Sequence, residues 1–428
     1  MSRSLSEWLN YLEQLHPVAI EMGLERSRHV LQRMQLGALA PRVITVTGTN
    51  GKGSTCAFLA ELLRSSGLRV GVYSSPHLVR YNERVQLPEG EASDEQLCAA
   101  FEAVEVARAE TSLTYFEMGT LAAFWLFQRA QLDVVILEVG LGGRLDAVNL
   151  IDADMAIVTS IGIDHVEWLG DSRDSVAFEK AGIFRPARPV VCGDLDPPSP
   201  LLVQAAQLGC PLHCRGVAFD LAATPNAWDW HGVSATGQRL ELSALPLLDL
   251  PQENAALALQ AFALLGLEWV PSRVQQALVS TRVSGRFERH VIEWRGKSLT
   301  LVLDVGHNPH AAAYLAARLQ QKPVEGVRRA VFGLLADKDL DGVIAPFGGV
   351  FTEWAVAPLS TLRTRDAESL RAALAAQGER VSAWSSLAMA LQAQCNAADA
   401  NDEILVFGSF YAVTEALAWL ASSASAVR

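Results

Sequence analysis

At 428 residues the chain is too long for one ordinary core, which predicts two or three domains. Half of it is hydrophobic and 19% is charged, the balance of a globular protein. A formal net charge of -12 argues against a nucleic-acid partner, so an anionic substrate has to be met by local clusters of Arg and Lys. The opening MSRSLSEWLNYLEQLH mixes acids and amides with its apolar residues, unlike a signal peptide. Stretches such as ALALQAFALLGLEWV are too short or interrupted to span a bilayer, and a cytoplasmic protein is expected, by default a monomer. Six scattered cysteines lack zinc-site spacing. Cys210-Pro-Leu-His-Cys214 is the one cluster and no second ligand pair follows it, so structural thiols are expected.

Leu5 to Met34 reads as helix, broken near His16-Pro17 and resumed by GLERSRHVLQRM. RVITVTGTNGKGST, from Arg42 to Thr55, follows. A short β-branched strand runs into Gly48-Thr49-Asn50-Gly51-Lys52-Gly53-Ser54-Thr55, and a helix begins there and ends at Gly67. Strand, glycine-rich turn and helix N-terminus make a phosphate cradle: backbone N–H groups approach phosphate oxygens and Lys52 supplies a mobile cation. Ser54 or Thr55 offers a hydroxyl to Mg²⁺. The glycine spacing departs from G-x-x-x-x-G-K-[ST], and Gly53 separates Lys52 from Ser54. That points away from switch GTPases and towards ligases that phosphorylate a carboxylate.

LRVGVYSSPHL reads as a second strand completing a βαβ unit. Its Ser74-Ser75-Pro76-His77 turn is expected near the phosphates, at the carboxyl ends of the strands. VRYNERVQLPEG is expected as a loop over the site. After a helical region from Asp94 to Arg129, LDVVILEVGLGG reads as a core strand ending in Glu138, a position suited to hold Mg²⁺ opposite the cradle. DMAIVTSIG is another strand, followed by Ile163-Asp164-His165. His165 is either structural or a metal or phosphate contact. Lys180 in SVAFEKAGIFRP is either a partly buried, reactive amine or the partner of an ordinary ion pair.

From 192 to 250 the pattern suggests a small antiparallel excursion, with WDWHGVSA and QRLELSAL as strands. PQENAALALQAFALLG is a helix with Asn254 near its start. TRVSGRFERHVIEWRGKS reads as an interdomain linker, after which an α/β rhythm restarts in LTLVLDVGHNPHAAAYLAARLQ, RRAVFGLLADKD and EILVFGSFYAVTEALAWL. The expected division is 1–284, a linker over 285–297, and 298–428.

Together GLERSRHV, TGTNGKGST, YSSPHLVRYNERV, YFEMGT, LEVGLGGRLDAVN, SIGIDHVEWLG, EKAGI, SGRFE, LDVGHNPHAA, LLADKD and FGSFYAV resemble the folylpolyglutamate synthase/dihydrofolate synthase family of the Mur-ligase superfamily. The resemblance covers nearly the whole chain and is weakest over 192–250. It implies an α/β protein of Mur-ligase architecture: a P-loop ATPase domain with a mainly parallel sheet, then a smaller C-terminal Rossmann-like α/β domain, with the active site between them. It implies a ligase that uses ATP to phosphorylate a carboxylate of dihydropteroate or a reduced folate, which the amine of L-glutamate then attacks. Ser54, Ser75 and Glu138 would hold one Mg²⁺ and His165 would join a second. Lys180 matches the family's carbamylated lysine. Asn254, Arg286 and Asp304 match ATP contacts, and His307 a place beside the acyl phosphate or glutamate. Gly23, Leu24, Glu25, Arg26, Arg80, Asn82, Arg84 and Phe116 would frame the folate.

The GLER helix and the SSPHLVRYNERV loop resemble those of bacterial bifunctional members, which points to both activities; a folylpolyglutamate synthase alone is the alternative. A peptidoglycan Mur ligase would carry a UDP-sugar domain before its P-loop, and a cradle beginning at Gly48 leaves no room for one. A nucleotide-dependent switch would explain neither the second α/β domain nor the carboxylate, lysine and histidine set.

Overall fold

Strand β1 (Arg42–Thr47) is buried at every position after its first, and it lies inside an eight-stranded sheet. The other strands are β2 (Val70–Tyr73), β3 (Val85–Leu87), β4 (Gly90–Glu91), β5 (Val134–Glu138), β6 (Met155–Val158), β7 (Val190–Cys192) and β8 (Leu212–Cys214). Their order is β4-β3-β2-β5-β1-β6-β7-β8. Every pairing from β2 across to β8 is parallel, while β3 and β4 add an antiparallel edge. β5 therefore lies between the two strands of the βαβ unit read from the sequence. VVILE is buried at all five positions, and a run apolar on both faces suits the middle of a parallel sheet.

This computed structural model describes residues 3–322 and 324–424, which divide into two units, 1–281 and 282–428. The first holds the eight-stranded sheet and a separate antiparallel one of β9 (Asp220–Ala223), β10 (Ala227–Val233) and β11 (Arg239–Pro246). That is the excursion expected over 192–250, and it encloses Trp228 and Trp230.

The second unit holds a sheet of β12 (Glu288–Trp294), β13 (Lys297–Asp304), β14 (Arg328–Phe332), β15 (Glu353–Val356), β16 (Val381–Ala383) and β17 (Glu403–Phe407). The order is β12-β13-β17-β14-β15-β16, parallel except where β12 meets β13. The stretch expected as a linker, 285–297, thus contains a strand. Its polar letters belong to an edge strand with one wet face, as the alternating burial of ERHVIEW records.

A second departure concerns VRYNERV. Instead of an open loop, Tyr81–Arg84 make a 3₁₀ turn that leads directly into β3. Tyr81, Asn82 and Arg84 are buried there. Among the described residues no helix is long and apolar enough to cross a membrane.

Candidate active site

The cradle is shaped by what its glycines exclude. Gly51 has φ +88°, and a Cβ there would lie 2.4 Å from Asn254 Oδ1. Asn254, in the first turn of the helix Gln252–Leu264, therefore lies against the turn. A Cβ on Gly48 would lie 1.8 Å from Thr159 Oγ1. That hydroxyl donates to Asn50 O at 2.6 Å, and Asn50 N donates to Ser160 Oγ at 3.1 Å. Thr49 Oγ1 donates to Gly162 O and accepts from Gly162 N, both at 2.9 Å. The segment after β6 thus holds the turn in place.

Lys52 opens the helix Lys52–Ser65, and its Nζ donates to Gly48 O at 2.9 Å and Thr49 O at 3.3 Å. Ser54 is buried in the same first turn. Thr55 Oγ1 is buried with no hydrogen-bond partner among the described residues.

Glu138 ends β5 beside this helix. A Cβ on Gly53 would lie 3.8 and 3.9 Å from its two carboxylate oxygens, so the carboxylate faces the helix N-terminus. Ser75 N donates to Glu138 Oε2 at 3.3 Å. The carboxylate and hydroxyl oxygens fit a hard divalent cation, and the N–H groups of the helix N-terminus fit its phosphates.

Lys180 lies near the end of the helix Arg173–Ala181 and is 3% exposed. Burial above all, then the charge of Lys52, pulls its amine down to about 7, against the opposing pull of Asp164 and Asp146. Its environment therefore departs from that of a surface lysine; the neighbouring Glu179 pairs with Arg144, its Oε1 accepting at 2.8 Å. His165 has φ +51° and caps the short helix Val166–Leu169, with a half-exposed side chain.

Of the residues expected around an acceptor, Phe116 lies against the turn after β5. A Cβ on Gly140 would come within 2.7 Å of its ring. Arg26 donates to the buried Glu117 at 3.1 Å and pairs with Glu21, while Glu25 pairs with Arg28 at 3.3 Å. Leu24 is the N-terminal cap of the helix Glu25–Met34 and Gly23 precedes Leu24. Asn82 donates to Ala92 O and to Asp94, each at 2.8 Å, so its amide holds the fold. Arg84 Nε donates to His77 Nδ1 at 2.8 Å. Arg80 stays exposed near Asp94, 3.4 Å away.

The second unit has its own cluster where β13 ends. Asp304 accepts from Phe287 N at 2.9 Å and Gly306 N at 2.7 Å, and burial raises its carboxyl despite the charge of Arg286. The Arg286 guanidinium lies 5.6 Å from the Phe410 ring centre and the His307 ring 6.1 Å from it. His307 Nδ1 is 2.8 Å from Val305 O.

Asp146 escaped the sequence reading. It is buried, accepts from Leu141 N at 2.8 Å and Val148 N at 3.0 Å, and burial pushes its carboxyl up to about 6. The motif LEVGLGGRLDAVN held the signal, but only Glu138 stands at a strand end. Thr159 and Ser160 were also missed, since plain hydroxyls after a strand carry no spacing of their own.

Residues 46–197 match the Mur ligase middle domain, and residues 285–410 match the Mur ligase, glutamate ligase domain. The chain is 45% identical over 413 residues to the dihydrofolate synthase/folylpolyglutamate synthase of Escherichia coli strain K12, covering 96% of this chain and 94% of that one. It is 42% identical to the Haemophilus influenzae enzyme of the same name, covering 96% of each. Its fold matches E. coli FolC in complex with DHPP and ADP at a TM-score of 0.91, with 44% identity and 99% of each chain covered. A bifunctional folylpolyglutamate synthase/dihydrofolate synthase with Mn, AMPPNP and L-glutamate bound matches at 0.88, with 43% identity and 98% of each chain covered. With the cradle, the carboxylate facing it and the buried lysine on the same fold, the chain belongs to the dihydrofolate synthase/folylpolyglutamate synthase family of Mur ligases.

Proposed function

We infer that this protein is an ATP-dependent ligase that joins L-glutamate to the carboxylate of 7,8-dihydropteroate and of reduced folates. The observation that carries this reading is the Glu138 carboxylate turned to the first helical turn of a phosphate cradle. The relatives solved with ADP and DHPP, or with AMPPNP and L-glutamate, support the same substrates.

A carboxylate is a poor acyl donor because its leaving group would be oxide. In the proposed reaction a carboxylate oxygen of the acceptor attacks the γ-phosphorus of ATP and ADP departs. The amine of glutamate then attacks the acyl carbon and loses a proton, and phosphate leaves with the electron pair of the broken acyl C–O bond. The turn from Gly48 to Thr55 cradles the phosphates, and Lys52 places a cation among them. Ser54, Ser75 and Glu138 would hold one Mg²⁺ and His165 would join a second. Bound Mg²⁺ supplies positive charge that offsets the crowded phosphate oxygens.

Asn254, Arg286 and Asp304 are assigned to ATP, and His307 to the acyl phosphate or glutamate. Phe116, Arg80, Arg84 and the residues Gly23 to Arg26 are assigned to the acceptor; Asn82 is assigned to the support of its segment. Lys180 is assigned a carbamate, because an amine pulled down to about 7 holds a substantial uncharged fraction at neutral pH, which attacks CO₂ with loss of a proton and gains an anion beside the cations. Lys180→Ala should be nearly inactive and partly rescued by acetate or formate; no rescue over a range of both acids would remove the carbamate from the mechanism. A monomer in the cytoplasm completes the proposal, consistent with six free cysteines.

The deciding experiment measures ADP release with L-glutamate, comparing dihydropteroate and tetrahydrofolate as acceptors. Both should support turnover. Tetrahydrofolate alone would reduce the protein to a folylpolyglutamate synthase, and neither would overturn the reading.

A further inference from the structure

The loop after β5 and the end of the helix Arg173–Ala181 are locked together at several points. Arg144 N donates to Glu179 O at 2.8 Å. A Cβ on Gly143 would lie 3.3 Å from Lys180 Cα, and one on Gly182 would lie 2.3 Å from Arg144 Cβ and 2.6 Å from its Cα. Loop and helix touch with no room for a side chain between them.

Asn149 closes this contact. It is 8% exposed, and its amide nitrogen donates to Arg144 O at 3.0 Å and to Gly182 O at 3.1 Å. One NH₂ group thus joins a carbonyl of the loop to a carbonyl at the helix end. Its Oδ1 accepts from Arg185 at 2.9 Å, which fixes which way the amide faces. The loop held in this way also contains Asp146, whose carbonyl accepts from Asn149 N at 2.9 Å.

We propose that Asn149 is a positioning residue for ligation, fixing the helix end that bears Lys180 against the loop that bears Asp146. Aspartate at this position keeps the size and the acceptor for Arg185 but turns two donors into acceptors facing two carbonyls. The helix end is then pushed away while the phosphate cradle is left alone. This inference rests on the proposed function for Lys180, so its test reads geometry and turnover separately.

The experiment compares wild type with Asn149→Asp in two measurements. Turnover is counted per chain able to bind AMPPNP, and amide hydrogen exchange is followed across the helix end 178–184 and the distant helix Asp94–Arg108. We expect kcat to fall about 100-fold, the size attached to misplacing a reacting group by an ångström, with the KM for ATP within about twofold. Exchange should accelerate in 178–184 and stay unchanged in Asp94–Arg108. A role in general stability alone would lower the number of competent chains and leave kcat per competent chain intact, which would overturn the proposal. Faster local exchange with wild-type kcat would overturn it too, as would lost kcat with unchanged exchange. If Asn149→Asp does not fold, Gly182→Ala applies the same wedge from the helix side, read by the same criteria. Exchange does not depend on any substrate, so wild type lacking ligase activity would count against the proposed function while the clamp itself could still be read.

Discussion

The phosphate cradle and the segment 74–91 follow β1 and β2, two parallel strands of one sheet with β5 between them, and they are held in opposite ways. In the cradle the conformation is set by backbone: Gly48 and Gly51 admit Thr159 and Asn254, and the bonds of Asn50 and Lys52 include several to or from main chain. In 74–91 the side chains hold the segment. Glu83 accepts from the N–H groups of Leu78, Val79 and Arg80, each at 2.7 Å. Arg84 meets His77 and Asn82 meets Asp94. A site made from backbone announces itself through glycine spacing. A site made from side-chain pairs hides its partners in the fold.

This contrast predicts that substitutions in the cradle abolish chemistry with little loss of stability. For Lys52→Ala we expect turnover to fall about 1,000-fold or more with either acceptor, the scale attached to removing a charge from a phosphoryl-transfer site. The melting temperature should hardly move, because Lys52 is bonded within the turn and not packed in the core. A folded variant with near-normal ADP release would sink the cradle assignment.

Lys180 is the next test, since it is buried as core yet assigned to chemistry. Its folded amine titrates near 7 and its ordinary value is 10.5. Between those values the unfolded chain binds more protons than the folded one, so the stability of wild type should rise with pH across that window. Below about 7 the full cost of burying the amine is present. Lys180→Met removes this term, so in metal-free, bicarbonate-free buffer its advantage in denaturant unfolding should be largest below pH 7. It should shrink steadily towards pH 10.5. A difference that stays constant with pH would mean the amine is not buried as the structure places it.

What was legible follows the same division. β1, β5 and the turn between β1 and its helix could be read because apolar runs and glycines act locally. Ser75 and Glu138 could be placed because strand ends are positions that sequence pattern reveals. The structural bonds of Asn82 were not legible because its two acceptors, Ala92 O and Asp94, lie ten and more residues away. β12 passed for a linker because an edge strand carries the same polar letters as a loop. Asp146 was hidden for a third reason: it lies in a turn and not at a strand end, and only burial reveals it.

The smallest effects separate two arginines of the same segment. Arg84 is 9% exposed, donates to His77, and places its guanidinium 5.3 Å from the Tyr81 ring centre and 5.6 Å from that of Tyr115. Burial, then the charge of Arg84, holds His77 down to about 4, so at neutral pH the imidazole accepts this bond uncharged. Arg84→Ala leaves that nitrogen without its donor and removes a cation from two rings. We expect a loss of about 1–3 kcal/mol in urea unfolding, and a raised KM for the acceptor as the segment loosens, with the KM for ATP unchanged. Among the described residues the side chain of Arg80 makes exposed ion pairs, to Asp94 at 3.4 Å and Glu91 at 4.0 Å. Solvent screens such pairs, so Arg80→Ala should change stability by less than about 0.5 kcal/mol. If Arg80 meets the acceptor, its loss should still raise the acceptor KM by roughly threefold, since binding is then its one substantial role. Equal destabilisation by the two substitutions would contradict the packing of the segment. A KM shift for ATP as large as that for the acceptor would move both arginines to the phosphate site.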